Sequence, residues 1–354
     1  MTGIPGVTGA VLQVVNACIS YGAVSVVQDV TLELSAGQRV VIAGPSGSGK
    51  SSLLRAISGL VPLADGRIIM QGVDVTRSAP EHRGAVYLHQ VPVLFSHLNV
   101  FENVAFPLRI RRVDMSAVRA RTMALLERVQ LASLAERRVD TLSGGQRHRV
   151  ALARALAATP AVLLLDEPFS ALDPALRSEV REDVLRVLDD DGPAAIFVTH
   201  DIDEAVIIGG RLGILIQGRL RQCDDAARVL ARPASLDVAQ LLGIANIIGG
   251  TADASGDFEC VLGRFAGWGG MGAGVLVARP LALRVVATDN DTTRDAAIGV
   301  IVRSLPRISG DLVLVRVGDT ELVATPEQGF FVESGARVRV DVDALAVHCL
   351  PVSL

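Results

Sequence analysis

"AGPSGSGKSS", residues 43–52, decides the fold. Gly44, four residues, then Gly49, Lys50 and Ser51 have the spacing of a P-loop. Lys50 is the only lysine in a chain of 354 residues, and arginine stands wherever lysine might elsewhere. The loop accounts for the exception. Glycines let successive backbone N–H groups turn inward around an anion at the positive end of a helix. A slim alkyl stem with a point charge can reach β and γ phosphates from beneath such a loop, whereas a planar guanidinium needs more room. Ser51 can place its hydroxyl on Mg²⁺. A glycine-rich turn with a chance lysine is the bland alternative. Against it, "QRVVIAG" (38–44) before the loop reads as a buried strand and "KSSLLRAISGL" (50–60) after it has helical spacing.

Working outward, "AVLLLDE" (161–167) and "AAIFVTH" (194–200) are also short apolar runs without alternation. Such runs fit strands buried on both faces of a parallel sheet. The helical stretch "PALRSEVREDVLRVLDD" (174–190) separates them, so the class is α/β with a parallel sheet. Residues 11–35 alternate and predict two strands. Short strands continue over 61–90, and residues 100–157 read as helical. After residue 236 the texture changes to short alternating strands such as "GVLVARPLALRVV" (274–286), split by Gly-Asp turns. A small all-β barrel or sandwich is expected there. The expected division is 1–235 and 236–354, with the junction between Pro233 and Leu242.

Asp166 and Glu167 end one apolar run, and His200 ends the next. Adjacent carboxylates at a strand end can be a simple helix cap. With a P-loop upstream, Asp166 reads as the group that holds Mg²⁺ and Glu167 as the base that polarises a water attacking the γ-phosphate. His200 is placed to touch that phosphate or to orient the base. "LSGGQRHRVALARAL" (142–156) sets paired glycines before an Arg-rich amphipathic helix, like a second phosphate-receiving helix start. One P-loop serves one nucleotide. A two-fold dimer would let each P-loop face the other copy's Ser143, Gly144 and Gly145. Read alone, the stretch is equally a glycine turn before an ordinary helix.

The totals exclude other classes. Half the residues are hydrophobic and mean hydropathy is +0.42, yet no apolar run approaches the ~18 residues of a spanning helix. The start "MTGIPGVTGAV" lacks the basic head and apolar core of a signal peptide, so a cytoplasmic chain is expected. Formal net charge is −4, and the densest basic cluster is Arg109–Arg112, so no nucleic-acid partner is expected. Cys18, Cys223, Cys260 and Cys349 are far apart in sequence, show no metal spacing and read as free buried thiols.

Together these stretches resemble the nucleotide-binding subunits of ABC transporters, over nearly the whole chain. "GPSGSGKS" is similar to Walker A, which implies ATP contacts from Gly44, Pro45, Ser46, Gly47, Ser48, Gly49, Lys50, Ser51 and Ser52. "VLLLDE" is similar to Walker B, and "LSGGQ" (Leu142, Ser143, Gly144, Gly145, Gln146) to the family signature that contacts ATP in trans. Gln90 matches the Q-loop glutamine, with a catalytic and Mg²⁺-linked role. Ser170, Ala171, Leu172 and Asp173 match the D-loop, and His200 the switch histidine. Tyr21 lies where the family stacks an aromatic ring on adenine.

The resemblance implies a homodimer that sandwiches ATP and drives two integral membrane permease subunits, served indirectly by a periplasmic or surface solute-binding protein. It places the chain peripherally on the cytoplasmic face of the membrane. A helical subdomain over about 90–150 would dock the permeases, and the β-rich tail resembles a TOBE-type regulatory domain of importers. "LFSHLNVFENVAF" (94–106) leans toward the ferric-iron branch, with importers of polyamine, sulfate, thiamine or another small solute as alternatives. His89 before the Q-loop glutamine, "QRHR" after the signature glycines, "IIGGRLGIL" and "RQCDD" depart from the usual pattern. None removes a catalytic group. A soluble ABC ATPase outside transport and a non-catalytic subunit are the competing classes. The former usually carries coiled-coil insertions or tandem cassettes absent here, and the latter is opposed by intact Lys50, Asp166, Glu167 and His200.

Overall fold

The computed structural model describes residues 9–190, 192–266, 268, 270–288, 297–306, 311–327 and 333–351. The start of the chain, read above for a signal peptide, lies outside the described residues up to residue 8. The chain divides into two compact units, residues 1–226 and 227–354.

In the first unit β1 (Ala10–Tyr21) and β2 (Val24–Ser35) form the expected antiparallel pair, and β4 (Asp65–Met70) and β5 (Val73–Asp74) extend that sheet in the order β2-β1-β4-β5. Alternation produces it: Leu12, Val14, Ala17 and Ile19 of β1 point to the core and are buried, while their neighbours are not. The second sheet contains β3 (Arg39–Ala43), β6 (Ala85–Leu88), β7 (Val162–Asp166), β8 (Ala194–Thr199), β9 (Arg211–Ile216) and β10 (Arg219–Asp225), in the order β10-β9-β3-β8-β7-β6. Strands β6, β7, β8, β3 and β9 run parallel, and β10 closes the edge antiparallel. Every residue of β7 and β8 is buried, which is why their sequences carry no alternation. Each fully buried Leu, Ile, Val or Phe there contributes roughly 1.5–3 kcal/mol.

Helix α1 (Lys50–Ser58) follows β3 across residues 44–49 and ends at Gly59, whose φ of 85° turns the chain out of the helix; the Arg83 guanidinium also donates to Ala56 O at 2.8 Å and Ile57 O at 3.3 Å, two of the helix's last carbonyls. The helical stretch is α2 (Val100–Ile110), α3 (Met115–Arg128) and α4 (Gly144–Ala157). Buried Asn103 ties down the segment ahead of α2, with Nδ2 donating to the carbonyls of Phe95, Leu98 and Asn99 and Oδ1 accepting from Phe95 N. α5 (Pro174–Asp189) connects β7 to β8, and α6 (Ile202–Ile208) connects β8 to β9.

The second unit is predominantly β, as its texture predicts. β11 (Asn246–Ala252), β12 (Phe258–Cys260), β13 (Gly263–Phe265), β14 (Gly272–Ala278) and β20 (Val347–Pro351) form one sheet. β15 (Leu283–Ala287), β16 (Ala297–Leu305), β17 (Leu312–Val317), β18 (Thr320–Pro326) and β19 (Arg337–Val342) close into a barrel. Buried Asn246 links the two, donating to Val323 O at 2.8 Å and accepting from Val323 N at 2.7 Å. A cavity of about 1250 Å³ within this unit is lined by Trp268, His348, Cys260 and Cys349 among others. The four cysteines are free and half-buried, and two of them share this cavity despite their distance in sequence. Among the described residues no group of three or more His, Cys, Asp or Glu gathers as a metal site.

Candidate functional site

In a parallel sheet all strands deliver their C-terminal ends to one edge, and ligands bind at that edge. Here β3 delivers the P-loop, β7 delivers Asp166 and Glu167, β8 delivers His200, and β6 leads to Gln90. Residues more than a hundred positions apart meet there.

The loop turns as its glycines permit. Gly49 caps α1 at φ 100°, and a Cβ on it would stand 2.8 Å from Val26 O. A Cβ on Gly44 would stand 2.1 Å from the backbone oxygen of Leu215, so only glycine fits. Lys50 is 5% exposed, and its Nζ donates to Gly44 O at 2.8 Å and Pro45 O at 2.9 Å. An ammonium has three donors, so one remains for a ligand oxygen. Burial lowers its pKa, opposed by the charges of Glu167 and Asp166. Ser48 Oγ is buried in the loop without a hydrogen-bond partner, as expected of a cradle built for an anion.

Ser51 Oγ donates to Asp166 Oδ1 at 2.7 Å. Paired hard oxygens of this kind suit a magnesium ion, so the residues present fit the metal. Tyr87 O–H donates to the other oxygen, Asp166 Oδ2, and the charge of Arg55 acts on the phenol. Burial and then the Asp166 bond push the Tyr87 pKa up to about 12, so the phenol stays a donor. The sequence reading missed Tyr87 and Arg55. The available signal is that β6 runs parallel beside β7, with Tyr87 opposite Leu164, so that a long side chain can lean along the strand to Asp166.

Glu167 has φ 45°, a conformation L-residues seldom adopt, and its N–H is held by Val198 O at 3.1 Å. Its Oε1 lies 3.1 Å from His200 Nδ1. Ser170 Oγ donates to Glu167 O at 2.9 Å and accepts from Gln90 Nε2 at 2.9 Å. The structure therefore joins Gln90 to the D-loop stretch, and the Ser51–Asp166 pair is contacted by Tyr87. Phe169 is fully buried and stacks with Phe197 of β8, anchoring the stretch Ser170, Ala171, Leu172, Asp173. Asp173 caps α5, its Oδ1 accepting from Leu176 N at 3.0 Å. Tyr21 is 46% exposed and its O–H lies 3.3 Å from Ser52 Oγ, leaving an aromatic face open beside the loop.

The stretch Leu142–Gln146 stands at the start of α4. Ser143 accepts from Gln146 N at 3.3 Å, Gln146 Oε1 accepts from Ser143 N at 3.0 Å, and Arg147 donates to Leu142 O at 2.8 Å. This capping box satisfies the turn within itself. One turn further on, His148 shares a small cavity with His89 and Pro92. Burial, and then the charge of Arg147, lower its pKa from the ordinary 6.5 to about 4. Between those values the unfolded chain binds a proton that the folded chain does not. Stability is thus expected to be full above pH 6.5 and to fall as pH drops toward 4. Urea midpoints at pH 7.5 and pH 5 should differ less in His148→Gln than in the unaltered chain, and an equal difference would show that His148 does not carry it.

With the geometry established, comparison places the chain among known proteins. A family model described as ABC transporter matches residues 27–170. The chain is 44% identical over 240 residues, 67% of its length and 68% of the relative's, to the sulfate/thiosulfate import ATP-binding protein CysA of Burkholderia mallei. It is 34% identical over 333 residues, 92% of its length and 95% of the relative's, to the molybdate/tungstate import ATP-binding protein WtpC of Pyrococcus horikoshii. Among solved structures it is similar to the dimeric, post-hydrolysis ATP-binding cassette MJ0796 bound to ADP and Pi. That match has a TM-score of 0.54 and 28% identity, covering 61% of this chain and 98% of that one. These relatives name sulfate, thiosulfate, molybdate and tungstate, so the lean of residues 94–106 toward ferric iron finds no support. The lean rested on a short loop-and-helix stretch that Asn103 explains structurally, through the four hydrogen bonds with which it holds that segment.

Proposed function

The chain belongs to the ABC transporter family as an ATP-binding, ATP-hydrolysing importer subunit, and from that premise we propose that it powers uptake of a tetrahedral oxyanion of the sulfate, thiosulfate, molybdate or tungstate kind. The observation that carries the reading is the convergence of Lys50, Ser51, Asp166, Glu167 and His200 at one sheet edge. The solute class is supported by the relatives' names.

In this reading the P-loop N–H groups and Lys50 hold the β and γ phosphates, and Tyr21 stacks on adenine. Ser51 and Asp166, with Gln90, would hold Mg²⁺. When bound, that ion neutralises charge on the phosphates. Glu167 accepts a proton from the water that attacks the γ-phosphorus, the bond to the β–γ bridging oxygen breaks, and ADP and phosphate leave. His200 keeps Glu167 oriented and contacts the γ-phosphate. Leu142, Ser143, Gly144, Gly145 and Gln146 complete the site of a second copy, consistent with the dimeric state of the structural relative. Catalysis is thus mainly positioning and charge stabilisation across two chains.

Among the described residues no helix is long and apolar enough to cross a membrane. The membrane path therefore belongs, in this reading, to two permease subunits, which the helical stretch α2–α4 docks at the cytoplasmic face. A solute-binding protein acts indirectly through those permeases. The test is uptake by cells that carry either the unaltered chain or Lys50→Ala. Loss of sulfate or molybdate uptake, with iron, polyamine and thiamine uptake intact, is expected. Loss of iron, polyamine or thiamine uptake with sulfate and molybdate intact would overturn the oxyanion assignment. Unchanged uptake of all five would count against transport of any of them.

A further inference from the structure

We propose that Tyr87 is a positioning residue that fixes the rotation of the Asp166 carboxylate for the metal and ties it to the start of the Q-loop. The inference rests on the reading that Ser51 and Asp166 hold Mg²⁺.

Three observations meet at this side chain. Its hydroxyl donates to Asp166 Oδ2 while Ser51 Oγ takes Oδ1 at 2.7 Å, so each carboxylate oxygen has its own anchor. Arg55, from the last turn of α1, lies beside the same phenol, and its charge acts on it. The ring meets His89 edge-on, centroids 4.7 Å apart at 81°, and Gln90 follows His89.

The two anchors of Asp166 are not equivalent. Ser51 is itself a metal-binding candidate: its hydroxyl can meet a cation with a lone pair while its O–H still donates to Oδ1, so this anchor moves with the ion. A carboxylate without a fixed anchor turns about its bond to the Cβ. The bond from Tyr87 does not move with the ion, because it comes from a different strand and from a residue outside the metal set. It keeps Oδ1 aimed toward Ser51. A charge-assisted O–H···O⁻ bond in a partly buried site is strong enough to set that orientation. The same ring packs on the residue before Gln90, whose amide reaches Ser170 and through it the Glu167 carbonyl. Tyr87 thus touches both the Asp166 carboxylate and the residue ahead of the Q-loop glutamine.

The experiment measures affinity for a fluorescent ATP analogue in EDTA and in Mg²⁺, using the full chain and the variants Tyr87→Phe, Tyr87→Met and Asp166→Asn. Phenylalanine keeps the ring and loses only the hydroxyl. Tyr87→Phe and Tyr87→Met are expected to keep the metal-free affinity and to lose about tenfold of the gain that Mg²⁺ gives, the scale of one hydrogen bond to a charged group. The Mn²⁺ concentration for half-maximal hydrolysis should rise by a similar factor. Full metal gain in Tyr87→Phe, with the gain lost in Asp166→Asn, overturns the role of Tyr87 and leaves the metal site standing. A Tyr87→Phe protein whose metal-free affinity falls equally shows a merely structural tyrosine and overturns it too. If the unaltered chain gains nothing from Mg²⁺ and equals Asp166→Asn, the metal reading itself falls and takes the proposal with it.

Discussion

Glu167→Gln is expected to bind ATP as the unaltered chain does and to hydrolyse it about a hundredfold to a thousandfold more slowly, the usual contribution of a positioned general base. The substitution keeps shape and removes only proton affinity. Glu167 makes its backbone bonds through N–H and C=O, to Val198 O and from Ser170, so the strand end at φ 45° does not depend on the carboxylate. Its side chain is exposed by only 22% and faces His200 Nδ1 at 3.1 Å, which an amide can still meet. Binding is expected to survive because, in the proposed reading, the loop and Lys50 hold the phosphates. With hydrolysis blocked, the species that ATP stabilises accumulates. Light scattering in excess Mg-ATP should then report a stable dimer, because in the proposed arrangement each signature turn completes the partner's site. A strictly monomeric Glu167→Gln protein under those conditions would count against the two-copy site, and turnover within threefold of the unaltered chain would remove Glu167 as the base.

Lys50→Arg is expected to lose turnover by about a hundredfold, the scale on which a preorganised charge donor acts, although the charge is kept. Nζ sits 2.8 Å and 2.9 Å from two carbonyls of its own loop and the residue is 5% exposed. A guanidinium is wider than an ammonium and presents its donors in a flat fork. It cannot place one donor at each carbonyl and a third on phosphate without opening the loop. The loop is not free to open, because Gly44 already approaches Leu215 O and Gly49 approaches Val26 O. Steady-state hydrolysis and fluorescent-ATP affinity measure this directly. Wild-type turnover in Lys50→Arg would sink the steric account and would leave the solitary lysine unexplained by its cradle.

Some of this chemistry was legible because it is local. The P-loop is a continuous run whose conformation follows from its own glycines, and β7 and β8 announce two-sided burial by lacking alternation. Asp166, Glu167 and His200 could be named because parallel strands bring their ends to one edge, a rule that needs no coordinates. The β-rich tail was legible for the same reason, since alternation and Gly-Asp turns are short-range signals. Tyr87 was not legible: nothing around it in "AVYLHQ" marks a tyrosine that reaches across to β7, and only the pairing of β6 beside β7 brings its hydroxyl to Asp166. The bond from Gln90 to Ser170 and the shared cavity of Cys260 and Cys349 were hidden in the same way. What the sequence by itself determined is the set of segments and the chemistry of each, because backbone sterics and burial patterns act within a few residues. What only the tertiary structure decided is which side chain holds which, because a hydrogen bond is set by a distance of about 3 Å and strand order alone chooses the neighbours that come so close.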